Sequence, residues 1–187
     1  WPAGRLRTFQ HLLRRGVNAP HTTSAGRLFD AVAALLALAD HNAYEGQAAL
    51  AVEQAARRAP RTAALPAFSL RPAKAYREVD WEAPLRGILH GMARGVAAAE
   101  LARGFHEALA RAVVLVARDT ALPEVGLSGG CFQNALLAAE TARHLRHAGF
   151  GVHRHRLVPP NDGGIALGQA AWAMRPKETG HVPRGSR

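Results

Sequence analysis

The 187 residues carry 24 basic and 14 acidic side chains, a formal charge of +10, on a chain that is 48% apolar and 20% charged. That apolar content supports a packed core and excludes wholesale disorder, while the single cysteine, Cys131, excludes an internal disulfide framework or a cysteine-cluster zinc site built from this chain alone. No apolar run approaches the roughly 18 residues of a membrane span, and no basic leader precedes an apolar block. The expectation is a soluble cytoplasmic domain, and a start at Trp1 reads as a piece of something longer.

Thr22-Thr23-Ser24 offers capping hydroxyls ahead of Leu28, Phe29, Val32, Leu35 and Leu36, whose three- and four-residue spacing predicts a helix running to about Asp40. A second helix is predicted over residues 45–58, burying Ala48, Ala49, Val52 and Ala55, small residues that permit close packing. Residues 60–84 hold four prolines and mixed polarity, so they read as a loop-rich insertion with short strands around 67–70 and 76–79. Asp80 is placed to cap a helix beginning at Trp81. A long helix over residues 97–118 carries Leu101, Phe105, Leu109, Ala112, Val113 and Val116, and tolerates Gly104 at about 1 kcal/mol.

The last third alternates. Residues 124–127 read as a strand, Ser128-Gly129-Gly130 as a tight turn, and 132–148 as an alanine- and leucine-rich helix ended by Gly149. Residues 150–155 form a second strand, 159–164 a loop, and 165–174 a final helix. Strand, helix, strand, loop, helix is the pattern of a parallel sheet with crossover helices, an α/β arrangement. Residues 175–187 read as a flexible tail, in which Val182-Pro183-Arg184-Gly185-Ser186 resembles part of a protease-site tag.

The positive charge raises nucleic-acid binding as a function class. Of the 24 basic residues 22 are arginine, scattered in ones and twos from Arg5 to Arg187, and aromatic residues make up only 6%. A phosphate-tracking face needs concentrated charge, so the scatter favours a solvated, arginine-biased surface over a basic, non-catalytic nucleic-acid or protein binding module.

Two glycine loops are the places where chemistry is legible. Ser128-Gly129-Gly130, between a strand and a helix, lets the chain turn sharply and bring amide N–H groups against an anion; its bland alternative is turn geometry alone. Gln133 and Asn134 add side-chain amides in the first helical turn. Asn161-Asp162-Gly163-Gly164 repeats the design with a carboxylate that can ligate a hard cation, or simply cap a helix. Loops at the ends of consecutive parallel strands line one crevice, where open α/β sheets bind ligands.

Gly26 and Asp30 lie four apart on one helical face, where a carboxylate can accept from ribose hydroxyls. Glu45 opens the second helix and suits the positive end of its dipole. Cys131 reads as a small buried hydrophobe, His153 and His155 as solvent-facing strand residues, and His106 and Glu107 stay ambiguous. No Gly-x-Ser-x-Gly elbow, phosphate-loop lysine motif or HExxH is present.

Four blocks carry a family resemblance: Thr23-Ser24-Ala25-Gly26-Arg27-Leu28-Phe29-Asp30-Ala31, Tyr44-Glu45-Gly46-Gln47-Ala48-Ala49, Leu127-Ser128-Gly129-Gly130-Cys131-Phe132-Gln133-Asn134, and the run from Pro159 through Asp162-Gly163-Gly164 to Ala170. In this order, over residues 10–174, they resemble the C-terminal part of the HypF carbamoyltransferases, maturation factors of [NiFe]-hydrogenases. The resemblance implies that residues 1–174 are the second lobe of an actin-like ATPase (ASKHA, ribonuclease H-like) domain, helix-rich with a short sheet. It implies that carbamoyl-adenylate, made from carbamoyl phosphate and ATP, delivers its carbamoyl group to the C-terminal cysteine thiolate of a HypE-like acceptor. That group becomes the cyanide ligand of the hydrogenase iron.

Position by position, the resemblance makes Asp162 a ligand of a divalent metal (Mg, Fe or Zn). It makes Gly26, Asp30, Ser128, Gly129, Gly130 and Asn134 nucleotide contacts, and Glu45 a sugar contact. The family's paired metal-binding histidines, a further aspartate, and its acylphosphatase-like, zinc-finger-like and adenylate-forming modules have no counterpart here. The expectation is therefore a chain inactive by itself. O-carbamoyltransferases acting on small hydroxylated molecules, and tRNA threonylcarbamoyl-transferase relatives, share the fold, but the Phe132-Gln133-Asn134 and Glu45-Gly46-Gln47 blocks favour the hydrogenase branch.

Overall fold

The structure, a computed structural model, describes residues 3–73 and 76–175. The tail beyond Arg175, including the tag-like stretch, lies outside them. Seven α-helices and two two-stranded sheets are seen among the described residues.

Helix α1 (Ala3–Arg15) has no counterpart in the predictions above. Four arginines and the lack of an acidic or capping start obscured its Leu6, Phe9 and Leu13 spacing, and those side chains stay exposed. Helix α2 (Ala25–Leu35) starts where expected, with Ser24 Oγ accepting from the Arg27 N–H at 3.4 Å. It stops five residues before Asp40. Ala37 takes a left-handed φ of +53°, the Ala37 N–H donates to Ala34 O, and the Leu38 N–H reaches back to Ala33 O, a Schellman closure built without glycine.

Helix α3 (Gln47–Arg58) follows a turn in which Gly46 sits at φ +80°. The proline-rich segment then forms an antiparallel hairpin of β1 (Ser69–Pro72) and β2 (Arg77–Asp80), in register Ser69↔Asp80. Both strands lie one or two residues later than predicted. Asp80 Oδ1 accepts from the Glu82 N–H at 3.0 Å, ahead of α4 (Glu82–Ala93).

Helix α5 (Ala98–Thr120) is the spine, packed against α3, α4 and α6. Its Leu101, Phe105, Ala108 and Ala112 are buried in the main core with Phe29, Val32, Val52 and Ile88. Phe29 meets Phe105 edge to face, ring centroids 5.1 Å apart. Strand β3 (Glu124–Leu127) crosses through α6 (Ala135–His147) to β4 (Gly151–Arg154), pairing parallel in register Leu127↔Arg154. Leu127, Val114 and Leu145 close a second cluster beneath this sheet. The crossover is therefore as predicted, on a sheet of only two strands. Helix α7 (Ile165–Ala173) ends the described chain and exposes Ile165, Leu167 and Trp172. None of the described helices is long and apolar enough to cross a membrane.

Gly104 gains a reason that its propensity cost hides. A Cβ there would collide with the backbone carbonyl of Ala63, where the proline-rich segment crosses α5, and would lie 3.1 Å from Leu65 Cγ. Gly104→Ala is therefore expected to destabilise by about 1–3 kcal/mol despite its better helix propensity. Urea unfolding checks this, and a gain in stability would remove the close-approach account.

Candidate functional site

Because β3 and β4 are parallel neighbours, the loops leaving their carboxyl ends start side by side. A 2.6 Å hydrogen bond from the Gly129 N–H to Pro160 O ties the two together. Gly129 adopts φ +100°, which lets the turn fold back onto that carbonyl. The tie also corrects the sequence reading of the turn: the Gly129 N–H is consumed internally. Phe132 N–H donates to Gly129 O, so the donors left at this short 3-10 turn (Gly130–Gln133) are the N–H groups of Gly130 and Cys131, which meet no acceptor among the described residues. Ser128 Oγ stands 3.0 Å from His155 Nε2, the residue after β4, and both are exposed.

In the second loop, Asn161 Oδ1 accepts from the Gly163 N–H at 3.1 Å and Asn161 O from the Gly164 N–H at 3.0 Å. A Cβ on either glycine would press against Pro159 at 3.1 Å. This folding leaves the Asp162 carboxylate exposed.

Asn134 is placed directly behind the turn, and its amide is engaged in both directions. Its Oδ1 accepts from the Leu137 N–H at 2.9 Å as N-cap of α6, so its Nδ2 is the group facing His106 Nε2 at 2.9 Å. A ligand contact from Asn134 has to use capacity beyond these two bonds. His106 Nε2 must then accept, which makes Nδ1–H the donor to Ala102 O at 2.8 Å. This histidine is fully buried and neutral; burial pushes its pKa below the ordinary value. From α3, buried Glu53 completes the arrangement, its Oε1 accepting from the Leu136 N–H at 3.2 Å and from Arg57 at 2.8 Å.

Helix α2, which touches the 3-10 turn, brings Gly26 and Asp30. Asp30 Oδ1 accepts from Asn42 Nδ2 at 3.3 Å. Arg27 lies 2.9 Å from Oδ2, out of hydrogen-bonding alignment, so this buried oxygen has no hydrogen-bond donor. Glu45 is exposed in the turn before α3 and hydrogen bonds to none of the other predicted site residues. Cys131 packs on the core half-buried, and burial pushes its thiol up, away from nucleophilic use.

Sequence reasoning missed His155 as a neighbour of Ser128 and Pro160 as the acceptor for Gly129. The only available signal was the parallel crossover itself, since contact across strand ends depends on register. His153 is solvent-facing as expected, and it faces Glu124 across the strands at 2.6 Å.

The residues present do not fit a metal around Asp162. It belongs to no group of three ligating side chains among the described residues, and one carboxylate does not hold a cation. The group that does gather, Glu107, Glu140 and His144, is crossed by arginines: Arg103 reaches Glu140 at 2.6 Å, Arg111 reaches Glu107 at 3.0 Å, and Arg143 reaches Glu140 at 2.7 Å. Burial opposes ionisation of Glu107, yet His144 and Arg111 hold its pKa below the ordinary range. It is an ion-pair network joining α5 to α6.

A family model described as "Carbamoyltransferase, Kae1-like Domain, second subdomain" matches residues 3–169. The chain belongs to the HypF carbamoyltransferase family. It is 38% identical over 184 residues to carbamoyltransferase HypF of Rhodobacter capsulatus, covering 96% of this chain and 23% of that protein. With the Rhizobium leguminosarum bv. viciae HypF it shares 42% over 163 residues, 83% of this chain and 20% of the relative. A crystal structure of full-length HypF in the phosphate- and nucleotide-bound form superposes with a TM-score of 0.78 at 31% identity, over 91% of this chain and 23% of that one. The HypF of T. kodakarensis gives 0.71 at 29% identity, over 89% and 21%. The chain thus spans about a fifth of the length of these HypF proteins, and 47% of a HypF homolog of Cupriavidus necator, and the helix-rich α/β fold expected from the sequence is the one those structures share.

The neutral, buried His106 makes a pH prediction. Its folded pKa is lowered, so the stability it confers is fully present above its ordinary value of 6.5 and declines as the pH falls below that toward the folded value. Between about pH 7.5 and pH 5.5, melting of the wild type is expected to lose more than that of His106→Gln, with a limiting slope of about 1.4 kcal/mol per pH unit for one proton. Parallel profiles would remove the assignment.

Proposed function

We propose that this chain forms one wall of the nucleotide crevice of a carbamoyltransferase that passes a carbamoyl group from carbamoyl-adenylate to a protein thiolate, the acceptor being a HypE-like protein in hydrogenase maturation. The observation that carries the reading is the Gly129–Pro160 tie, which joins two glycine loops at parallel strand ends beside the Gly130 and Cys131 N–H groups, which meet no acceptor among the described residues. A nucleotide-bound relative of the same fold supports it.

In this reading the two N–H groups and the Ser128 hydroxyl hold the adenylate phosphate, and the donor-free Asp30 Oδ2 accepts from a ribose hydroxyl. The thiolate attacks the carbamoyl carbon, the carbon–oxygen bond of the mixed anhydride breaks, and AMP leaves with the electron pair. A phosphate monoester is a good enough leaving group to need no acid from this chain. Gly26 and Asn134 shape the crevice from behind, Glu45 is a sugar contact at its edge, and Asp162 offers a single ligand to a cation whose other ligands lie elsewhere. No step is assigned to that cation. Ion pairing of Arg57, Arg86, Arg103, Arg111 and Arg143 to glutamates argues against a basic docking face.

The test places this chain in the Rhodobacter capsulatus relative, in exchange for the matching segment. Titration calorimetry with a non-hydrolysable carbamoyl-adenylate analogue is expected to show affinity about tenfold or more weaker for Asp30→Ala and reduced for Asp162→Ala. Unchanged affinity in both overturns the reading. Alone, the chain is expected to give no carbamoyl-phosphate-dependent ATP–pyrophosphate exchange, and activity there would show that it carries a complete site.

A further inference from the structure

We propose that His155 is a positioning residue that fixes the direction of the Ser128 hydroxyl, its Nε2–H donating to Ser128 Oγ so that the serine proton points at an anionic ligand oxygen. The inference rests on the crevice reading above and deepens it, since nothing in the family blocks pointed to this histidine.

The argument is one of proton count. Ser128 Oγ and His155 Nε2 are 3.0 Å apart, and one hydrogen lies between them. If the serine supplies it, the hydroxyl shows only lone pairs to the crevice and repels a phosphate oxygen. If the imidazole supplies it, the hydroxyl proton is free, and Ser128 joins the N–H groups of Gly130 and Cys131 as a third donor on the same short turn. An anion therefore selects the second arrangement. The backbone keeps the pair together, because Leu127 and Arg154 are paired in the parallel ladder and Ser128 and His155 are the next residues on each strand. The Gly129–Pro160 bond one step further on closes the loops around them. Both side chains are exposed, so the pair is not a packing requirement of the core.

Two measurements test it. Long-range proton–nitrogen correlation spectra of the chain, recorded where the imidazole is neutral, are expected to show His155 in the Nε2–H form, with a changed Nε2 shift in Ser128→Ala; an Nδ1–H form overturns the proposal. In the Rhodobacter capsulatus exchange protein, His155→Phe is expected to weaken binding of a non-hydrolysable carbamoyl-adenylate analogue about five- to tenfold, while His155→Gln, which places an amide N–H near the Nε2 position, stays within about twofold of wild type. Equal weakening by both variants, or none by either, overturns it. If the wild-type exchange protein fails to bind the analogue, the crevice reading falls, and the tautomer alone then decides the orientation of the pair.

Discussion

The start of α6 is the constraint from which the rest of the site follows. Two of its first free N–H groups are satisfied by side chains inside the protein: Leu137 by Asn134 and Leu136 by Glu53, which comes from α3, 83 residues earlier in the chain. Asn134 is held by His106 on α5, and His106 is held by its own helix backbone and the edge of Phe29. Four elements therefore agree on one point. A buried carboxylate is tolerable there because Arg57 and the amide share it, and breaking one partner would leave an uncompensated group in the core. With that point fixed, the glycine turn just upstream can only leave toward the end of β4, where Pro160 receives it.

Much of this was legible in the sequence because it repeats over short distances. The strand at 124–127 and the crossover helix after the glycines announce themselves by composition and spacing. The end of α2 does not, since Leu36 and Leu38 continue the apolar pattern while Ala37 reverses the backbone, and a left-handed alanine has no signature. The helix at the amino end escaped because its apolar residues are diluted by arginine and remain largely exposed.

The site shows the same division. That two glycine loops start side by side follows from parallel strands, which the pattern supplied. Which atoms meet there follows from register, which it did not. Asn134 is the instructive residue: a polar side chain beside a glycine turn reads as a ligand contact, yet its amide is tied to a histidine 28 positions away that no local pattern could pair with it. The positive charge likewise lost meaning once Arg57, Arg86, Arg103, Arg111 and Arg143 were found beside glutamates three or four residues along or across the α5–α6 seam.

Glu53 has a consequence for how an anion is recognised. A helix usually offers a phosphate the positive end of its macrodipole, but here a carboxylate already sits against that end of α6 from the inside. Arg57 pairs the same oxygen, so what α6 loses toward the turn is the Leu136 N–H, consumed inside the protein. In the proposed reading, attraction at the turn rests on a few aimed donors, short in range and exacting in shape. In the proposed crevice such donors would discriminate by fit among anions of equal charge.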